Sequence, residues 1–249
     1  MSNLDYQQVE TVLVDWLTQR VEEAGAEGAV VGLSGGIDSS VVSVLCKKAF
    51  GQDVTGIIMP CYSEEQDAND AEKVAGIFEI DYIIHDLSSV FEGLLALYKE
   101  DESSKRSKLA AVNIKPRLRM ITLYYYASLK NYLVIGTDNW SELKVGYFTK
   151  HGDGGVDLAP LGRLVKTEVR ELAGHLGIPD SIIEKPPSAG LWQDQTDEEE
   201  MGLTYETLDR YILTGEVDPE NRKQIEELTK KNAHKLEPIP VPARDSFTE

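Results

Sequence analysis

The chain has 249 residues, 41% of them hydrophobic and 27% charged, with ten prolines, which is ordinary globular composition. A chain of this length buries roughly 70% of the surface its unfolded form exposes, so it folds without a disulfide or metal staple. The formal net charge of −18 argues against DNA or a large RNA as partner, because those demand a basic footprint; a local basic pocket for a small anion remains compatible with it. Cys46 and Cys61 are too few for a framework and lack metal-ligand spacing, so both read as small packing residues. The N-terminus carries neither a basic region nor an apolar core, and no apolar run approaches the ~18 residues of a membrane span. A cytoplasmic chain is expected, with no nucleic acid and no membrane as partner.

In chain order, apolar residues at Tyr6, Val9, Val12, Leu13, Trp16, Leu17 and Val21 repeat with helical period. Gly28 to Leu33 is a short apolar run rich in β-branched residues, a buried strand. A glycine-rich turn follows, then a helix carrying Val41, Val42, Val44, Leu45 and Ala49 that Gly51 ends. Val54 to Met59 is a second buried strand, stopped by Pro60. Glu64 to Phe78 is an acidic helix and Tyr82 to His85 a third strand. Ser88 to Glu100 reads as helix, Asp101 to Lys108 as a polar connector, and Lys115 to Lys130 as a long helix that tolerates Pro116 in its first turn. Tyr132 to Gly136 is a fourth strand. Strands that are apolar throughout, alternating with helices, predict an α/β fold: a parallel β-sheet with helices on both faces, and no linker that would divide residues 1–249 into separate domains.

The remaining third is mostly helical, with Thr167 to Leu176 capped by Gly177, then Thr204 to Leu213 and Asn221 to Lys235. Glu184 to Asp194, with two prolines and a glycine, reads as a mobile loop. The acidic run Asp197 to Glu200 reads as a helix start: Thr196 caps it and Glu199 completes a capping box, with the acids solvated near the positive helix end.

The segment with the most chemistry is Ser34-Gly-Gly-Ile-Asp-Ser-Ser40, which leaves the first strand and opens a helix. Amides at such a junction point outward unpaired, the helix dipole adds positive charge, and glycines let an anion approach the backbone. Ser34, Ser39 and Ser40 add hydroxyls, so phosphate or pyrophosphate is the expected guest. The Gly-Lys-Ser/Thr ending of a Walker loop is missing. In its place stands Asp38, which would repel a phosphate unless a cation such as Mg2+ lay between them.

This loop resembles the pyrophosphate loop of the N-type ATP pyrophosphatases, and three further segments resemble the NAD synthetase family. Asn113-Ile-Lys-Pro-Arg117 is similar to that family's Asn-Ile-Lys-Ala-Arg, with Pro116 in the alanine position. Gly136-Thr-Asp-Asn-Trp-Ser-Glu142 is similar to Gly-Thr-Asp-Asn-Ala-Ala-Glu. Phe148 to Leu158 is similar to Phe-Thr-Lys-Tyr-Gly-Asp-Gly-Gly-x-Asp-Leu, with His151 for the tyrosine. Lys185 to Leu191 and His234-Lys235 carry the likeness to the C-terminus.

The resemblance implies an adenine nucleotide α-hydrolase-like, three-layer Rossmann-like fold. It also implies ATP-dependent amidation of nicotinic acid adenine dinucleotide (deamido-NAD). In that reading Gly32, Leu33, Ser34, Gly35, Gly36, Ile37, Asp38 and Ser39 hold ATP, completed by Met59, Thr137, Lys166 and Ser188. Asp38 and Glu142 bind Mg2+. Arg117, Lys150, Asp157, His234 and Lys235 hold the dinucleotide. Asp38, Asp153 and Lys166 carry the chemistry, Asp153 near the incoming ammonia. Motifs that run from Gly32 to Lys235 leave no room for an amidase domain, so free ammonia is the expected nitrogen donor unless a separate glutaminase delivers it.

Simpler readings stand beside these. Glu142 also suits a helix start, Lys150 a surface position, Asp153 a glycine-rich turn, and His234-Lys235 a helix C-terminus. His85 and His175 read as structural and His151 as a tolerated surface exchange. A homodimer is implied, with Lys115 to Lys130 and the N-terminal helix as contacts; Tyr124, Tyr125 and Tyr126 suit either that interface or the core. The rivals are another adenylating enzyme of the superfamily and a nucleotide-binding module without turnover.

Overall fold

The computed structural model describes residues 4–98, 105–188 and 196–247. The first half alternates as expected: α1 (Tyr6–Glu23), β1 (Gly28–Gly32), α2 (Ile37–Phe50), β2 (Val54–Ile58), α3 (Glu65–Ile77), β3 (Tyr82–Ile84), α4 (Ser88–Tyr98), α5 (Lys105–Val112), α6 (Ile114–Lys130) and β4 (Tyr132–Ile135). The four strands match the expected ones to within a residue at each end. All pairings are parallel, in the order β3-β2-β1-β4, with Val31 level with Gly56 on one side and Ile135 on the other. The chain winds from β1 outward through β2 to β3, then returns to lay β4 on the opposite side of β1. The strand order therefore reverses between β1 and β4, the point at which open α/β sheets generally carry their ligand sites.

Strand side chains divide between two cores. Ala29, Val31, Val54, Ile58 and Ile135 enter a core shared with α1, α2, α3 and the later helix Lys166–Leu176, whereas Val30, Ile57 and Val134 enter one shared with α4 and α6. Burial on both faces is what uniformly apolar strands require. Only β3, at the sheet edge, keeps Tyr82 and Ile84 exposed.

The second half comprises α7 (Trp140–Val145), α8 (Lys166–Leu176), α9 (Asp180–Ile183), α10 (Asp197–Met201), α11 (Tyr205–Thr214) and α12 (Pro219–Asn232), with a 3-10 turn at Ala233–Lys235. A third, smaller core of Val145, Met201, Leu203, Tyr205, Leu208 and Ile225 holds α7, α10, α11 and α12 together.

Several expectations need correction. Residues 105–108, expected as connector, begin helix α5; residues 99–104 lie outside the described residues. The last helix starts at Pro219, because Asp218 accepts from the amides of Glu220 and Asn221 and caps it, and its end tightens into the 3-10 turn. The expected mobile loop is pinned where it starts: Lys185 bonds Asp67 (2.8 Å) and Asp70 (2.7 Å) of α3. Its residues 189–195 lie outside the described residues. In the acidic run, Thr196 accepts from the Glu199 amide, the forward half of the expected box. Asp197, however, is not solvated: it is 4% exposed and accepts from the hydroxyls of Tyr147 and Tyr205. No helix among the described residues is long and apolar enough to cross a membrane.

Candidate active site

The Ser34–Ser40 loop sits at the C-terminal end of β1, where the strand order reverses. Gly35 has φ +75°, and a Cβ there would run into the Asp67 carbonyl, so both conformation and space require glycine. The serines brace the loop. Ser39 and Ser40 donate to the Gly36 carbonyl (2.9 and 2.8 Å), and Ser34 Oγ lies 2.9 Å from Ser39 Oγ while accepting from the Gly36 amide at 3.2 Å. These bonds hold the loop's shape. The amides of Ile37, Asp38 and Ser39 form the first turn of α2, where no side chain caps them, and such amides suit an anion. Leu33 is buried beneath the loop, and Met59, 7% exposed at the end of β2, packs beside Gly32.

Beyond the end of β4, Thr137 is half-buried and Asp138 and Asn139 are buried. Asn139, fully buried, ties two elements together. Its side chain accepts from the Glu142 amide (3.1 Å) and donates to Asp38 Oδ1 (3.0 Å), while its own amide donates to Glu142 Oε2 (3.0 Å). Glu142 thus completes the α7 capping box, as its helix-start reading expects, while its other oxygen turns toward Lys166.

Between the two carboxylates lies the Lys166 ammonium, bonded to Asp38 Oδ2 and 3.5 Å from Glu142 Oε1. Burial works against this cation, but Asp38 and Glu142 more than offset it and hold its pKa above the usual lysine value. Burial pushes the Glu142 carboxyl up to about 7 although Lys166 pulls the other way. The ammonium sits closer to Asp38, which leaves Glu142 the weaker share of its field. Burial, with Asp153, Glu142 and Asp38 as like charges, also raises Asp138 well above the usual carboxylate range.

Lys166 is aimed from the C-terminal half. It is the first residue of α8; its amide donates to Ser141 Oγ (3.0 Å), and Ser141 and the Thr167 amide both donate to the buried Asp209 of α11 (2.5 and 2.8 Å). Asp138, Asn139, Asp197, Tyr205 and Asp209 were not singled out from sequence as functional. Asp138 and Asn139 stand inside the quoted Gly136–Glu142 motif, which could have drawn attention to them.

A second group lies at the rim. Arg117 reaches the carbonyls of Asn113 and Lys150 (3.4 Å each), Lys150 Nζ donates to the His234 carbonyl (2.5 Å), and Lys235 Nζ donates to the carbonyls of Gly146 and Phe148 (2.6 and 2.7 Å). Arg117, Lys150 and His234 are thus linked through main-chain carbonyls, and Lys235, next to His234 in sequence, turns to Gly146 and Phe148. The fifth, Asp157, stands apart, accepting from Tyr124 (3.0 Å) and the Val134 amide (2.8 Å). Asp153 accepts from the Thr149 amide (3.0 Å) in its glycine-rich turn and is exposed, and its charge is felt by both Asp138 and Lys235. Ser188 is exposed at the limit of the described residues.

The residues read as structural have partners of that kind. His85 stacks on Tyr126, His175 meets Glu10 at 2.9 Å, and Cys46 and Cys61 are fully buried. His151 is exposed at φ +59°. Of the three tyrosines, Tyr124 and Tyr126 pack inward and Tyr125 is 63% exposed.

The site can hold a phosphorylated ligand at the β1–α2 loop, with a hard cation beside it. Both Asp38 and Glu142 offer oxygen donors, already converge on one positive charge, and lie next to the phosphate nest. Among the described residues no group of three or more His, Cys, Asp or Glu side chains could hold a metal alone. Two carboxylates beside a phosphate site suit Mg2+, which keeps waters and binds through one or two carboxylates plus phosphate oxygens.

Comparison with known proteins agrees with this geometry. The NAD synthase family model matches residues 9–239. The NH(3)-dependent NAD(+) synthetase of Carboxydothermus hydrogenoformans is 51% identical over 230 residues, 92% of this chain and 95% of that protein. Among solved structures, an NMN synthetase from Francisella tularensis superposes with a TM-score of 0.91 at 37% identity, covering 96% of this chain and 99% of that one. The NH3-dependent NAD synthetase of Campylobacter jejuni superposes with a TM-score of 0.79 at 31% identity, covering 96% and 100%. A match of this extent, on a chain whose phosphate loop, buried carboxylates and lysine fall together at one switch point, shows that the chain belongs to the NAD synthase family.

Proposed function

We propose that the chain is an ammonia-dependent NAD synthetase that amidates deamido-NAD to NAD, the last step of NAD biosynthesis, releasing AMP and pyrophosphate. The observation that carries this reading is the buried Asp38–Lys166–Glu142 group beside a phosphate nest without a Walker lysine. A carboxylate resists ammonia because its carbonyl carbon is electron-rich and its leaving group would be oxide. One carboxylate oxygen attacks the α-phosphorus of ATP and pyrophosphate departs; ammonia then adds to the acyl carbon, and AMP leaves with that oxygen.

The nest holds the phosphates through the first-turn amides of α2, with Thr137, Met59 and Ser188 completing the nucleotide site. Asp38 and Glu142 would hold Mg2+, which when bound neutralises charge on the phosphates and the departing pyrophosphate. Lys166 supplies a fixed, desolvated positive charge for the same purpose, a contribution on the order of 3–4 kcal/mol by analogy with oxyanion donors. Arg117, Lys150, Asp157, His234 and Lys235 orient the dinucleotide. Asp153, next to the buried Asp138, captures ammonium and helps it lose its proton.

Residues 1–249 act as one domain in this reading, since the small core reaches the site through Ser141 and Asp209. A homodimer is supported by the exposed stripe Ile121, Tyr125 and Leu129 on α6, at 59%, 63% and 66% exposure. Two buried free thiols suit the reducing cytoplasm.

The likeness to an NMN synthetase favours a second reading, in which a mononucleotide carboxylate is amidated instead. Pyrophosphate release with ATP, Mg2+ and ammonium distinguishes them when deamido-NAD, nicotinic acid mononucleotide and xanthosine monophosphate are compared. The first reading expects the highest kcat/KM with deamido-NAD, and a preference for either of the others overturns it. Product formed with glutamine but never with ammonium would remove ammonia as the donor.

A further inference from the structure

Tyr205 takes no part in the chemistry above. It is the first residue of α11, fully buried, with its ring centroid 4.9 Å from Lys166 Nζ. Its hydroxyl lies 3.0 Å from Glu142 Oε1 and 3.1 Å from Asp197 Oδ2. One hydroxyl proton thus faces two carboxylates. Asp197 also meets Tyr147, whose hydroxyl is 3.1 Å from its other oxygen and 2.7 Å from Glu200 Oε2, so it does not depend on the Tyr205 proton alone. Glu142 has no such spare: Oε2 is held by the Asn139 amide at 3.0 Å, and Oε1 by Tyr205 with Lys166 at 3.5 Å. With both oxygens tied, the carboxylate cannot rotate without breaking a bond, and the direction it faces is set by α11.

We propose that Tyr205 is a positioning residue that aims the Glu142 carboxylate into the space shared with Asp38. The small C-terminal core thereby sets the geometry of the cation site at the end of the sheet. This rests on the reading of Glu142 as a metal ligand. Partners that orient a ligand from behind are generally worth 10–100-fold in metal affinity, which scales the expected effect.

The test is Mn2+ binding, followed by electron paramagnetic resonance, to the full chain saturated with an ATP analogue that cannot be cleaved between α- and β-phosphate. Tyr205→Phe, Glu142→Gln and the double variant are compared with the wild type. Tyr205→Phe is expected to weaken Mn2+ by about tenfold and raise the apparent KM for Mg2+ to match, with kcat at saturating Mg2+ changed by less than about twofold. In the Glu142→Gln background the same substitution is expected to add nothing, because the carboxylate it aims is gone. A folded Tyr205→Phe that binds Mn2+ like the wild type overturns the proposal. If Glu142→Gln leaves Mn2+ binding unchanged, the ligand reading itself fails and the proposal falls with it. Should Tyr205→Phe not fold, Asp197→Asn decides: it leaves the Tyr205 proton to Glu142, so affinity is expected to hold within about twofold. A tenfold fall there would overturn the proposal.

Discussion

The two halves of the candidate site use similar charged residues in opposite surroundings. Around Lys166, itself buried with Glu142 while Asp38 is half-buried, the charges touch one another and lie on elements anchored in the cores. Around Arg117 and Lys150 the cations lie at the rim and reach main-chain carbonyls. Charges in a low-dielectric pocket act strongly on one another and on a reacting group, whereas exposed ones are screened. In the proposed mechanism the buried centre acts on the transition state, and the rim binds and orients.

The largest effect should come from breaking the centre. Lys166→Met leaves two facing carboxylates without their cation; it is expected to abolish pyrophosphate release and to cost about 3–5 kcal/mol of stability, measured by urea unfolding. Asp38→Asn keeps the shape and should lower kcat by about 10²–10³-fold in a pyrophosphate-release assay, with a smaller loss of stability. Either variant near wild-type activity would contradict the assignment of the chemistry to this half.

The pH dependence gives a further test of the same half. Glu142 is raised to about 7 from the ordinary value of 4.5, so the folded state holds that proton where the unfolded chain has released it. Its contribution to stability is complete below about 4.5 and is lost as pH rises through about 7, with Asp138 acting in the same direction. The metal-free protein should thus lose melting temperature across that window, and Glu142→Gln should flatten the profile.

At the rim, Arg117→Ala should raise KM for the dinucleotide by about tenfold with kcat little changed, and shift stability by less than about 0.5 kcal/mol. An equal fall in kcat would move Arg117 into the chemistry. The smallest effect is expected from Lys185→Met, which removes the clamp on Asp67 and Asp70 behind Gly35. About 1 kcal/mol, read as a few-fold rise in KM for ATP, is the expected scale for so partly exposed a pair.

The sheet half was largely legible in the sequence because its signals are local. Apolar runs mark the four strands, and the Ser34–Ser40 loop announces a phosphate nest at the first strand-to-helix turn. What escaped notice lies in residues whose meaning depends on distant partners. Asp197 stands in a run of four acids that looks solvated, and only packing against Tyr147 and Tyr205 makes it a buried acceptor. Asp209 looks like any polar residue of an amphipathic helix until α11 docks against the start of α8. Helix α7, six residues long, is too short to display a period and is fixed by the Asn139–Glu142 capping box instead. Ser39 and Ser40 were legible as loop residues, but their role in bracing Gly36 depends on a backbone path that spacing alone does not give.

The central claim is that this buried centre activates a carboxylate by joining it to AMP. Deamido-NAD labelled with 18O in its carboxylate, turned over with ATP, Mg2+ and ammonium, tests it most directly. One labelled oxygen should appear in AMP and none in pyrophosphate, because the attacking oxygen leaves with the α-phosphorus. AMP without label, or ADP and phosphate in place of AMP and pyrophosphate, would contradict the account.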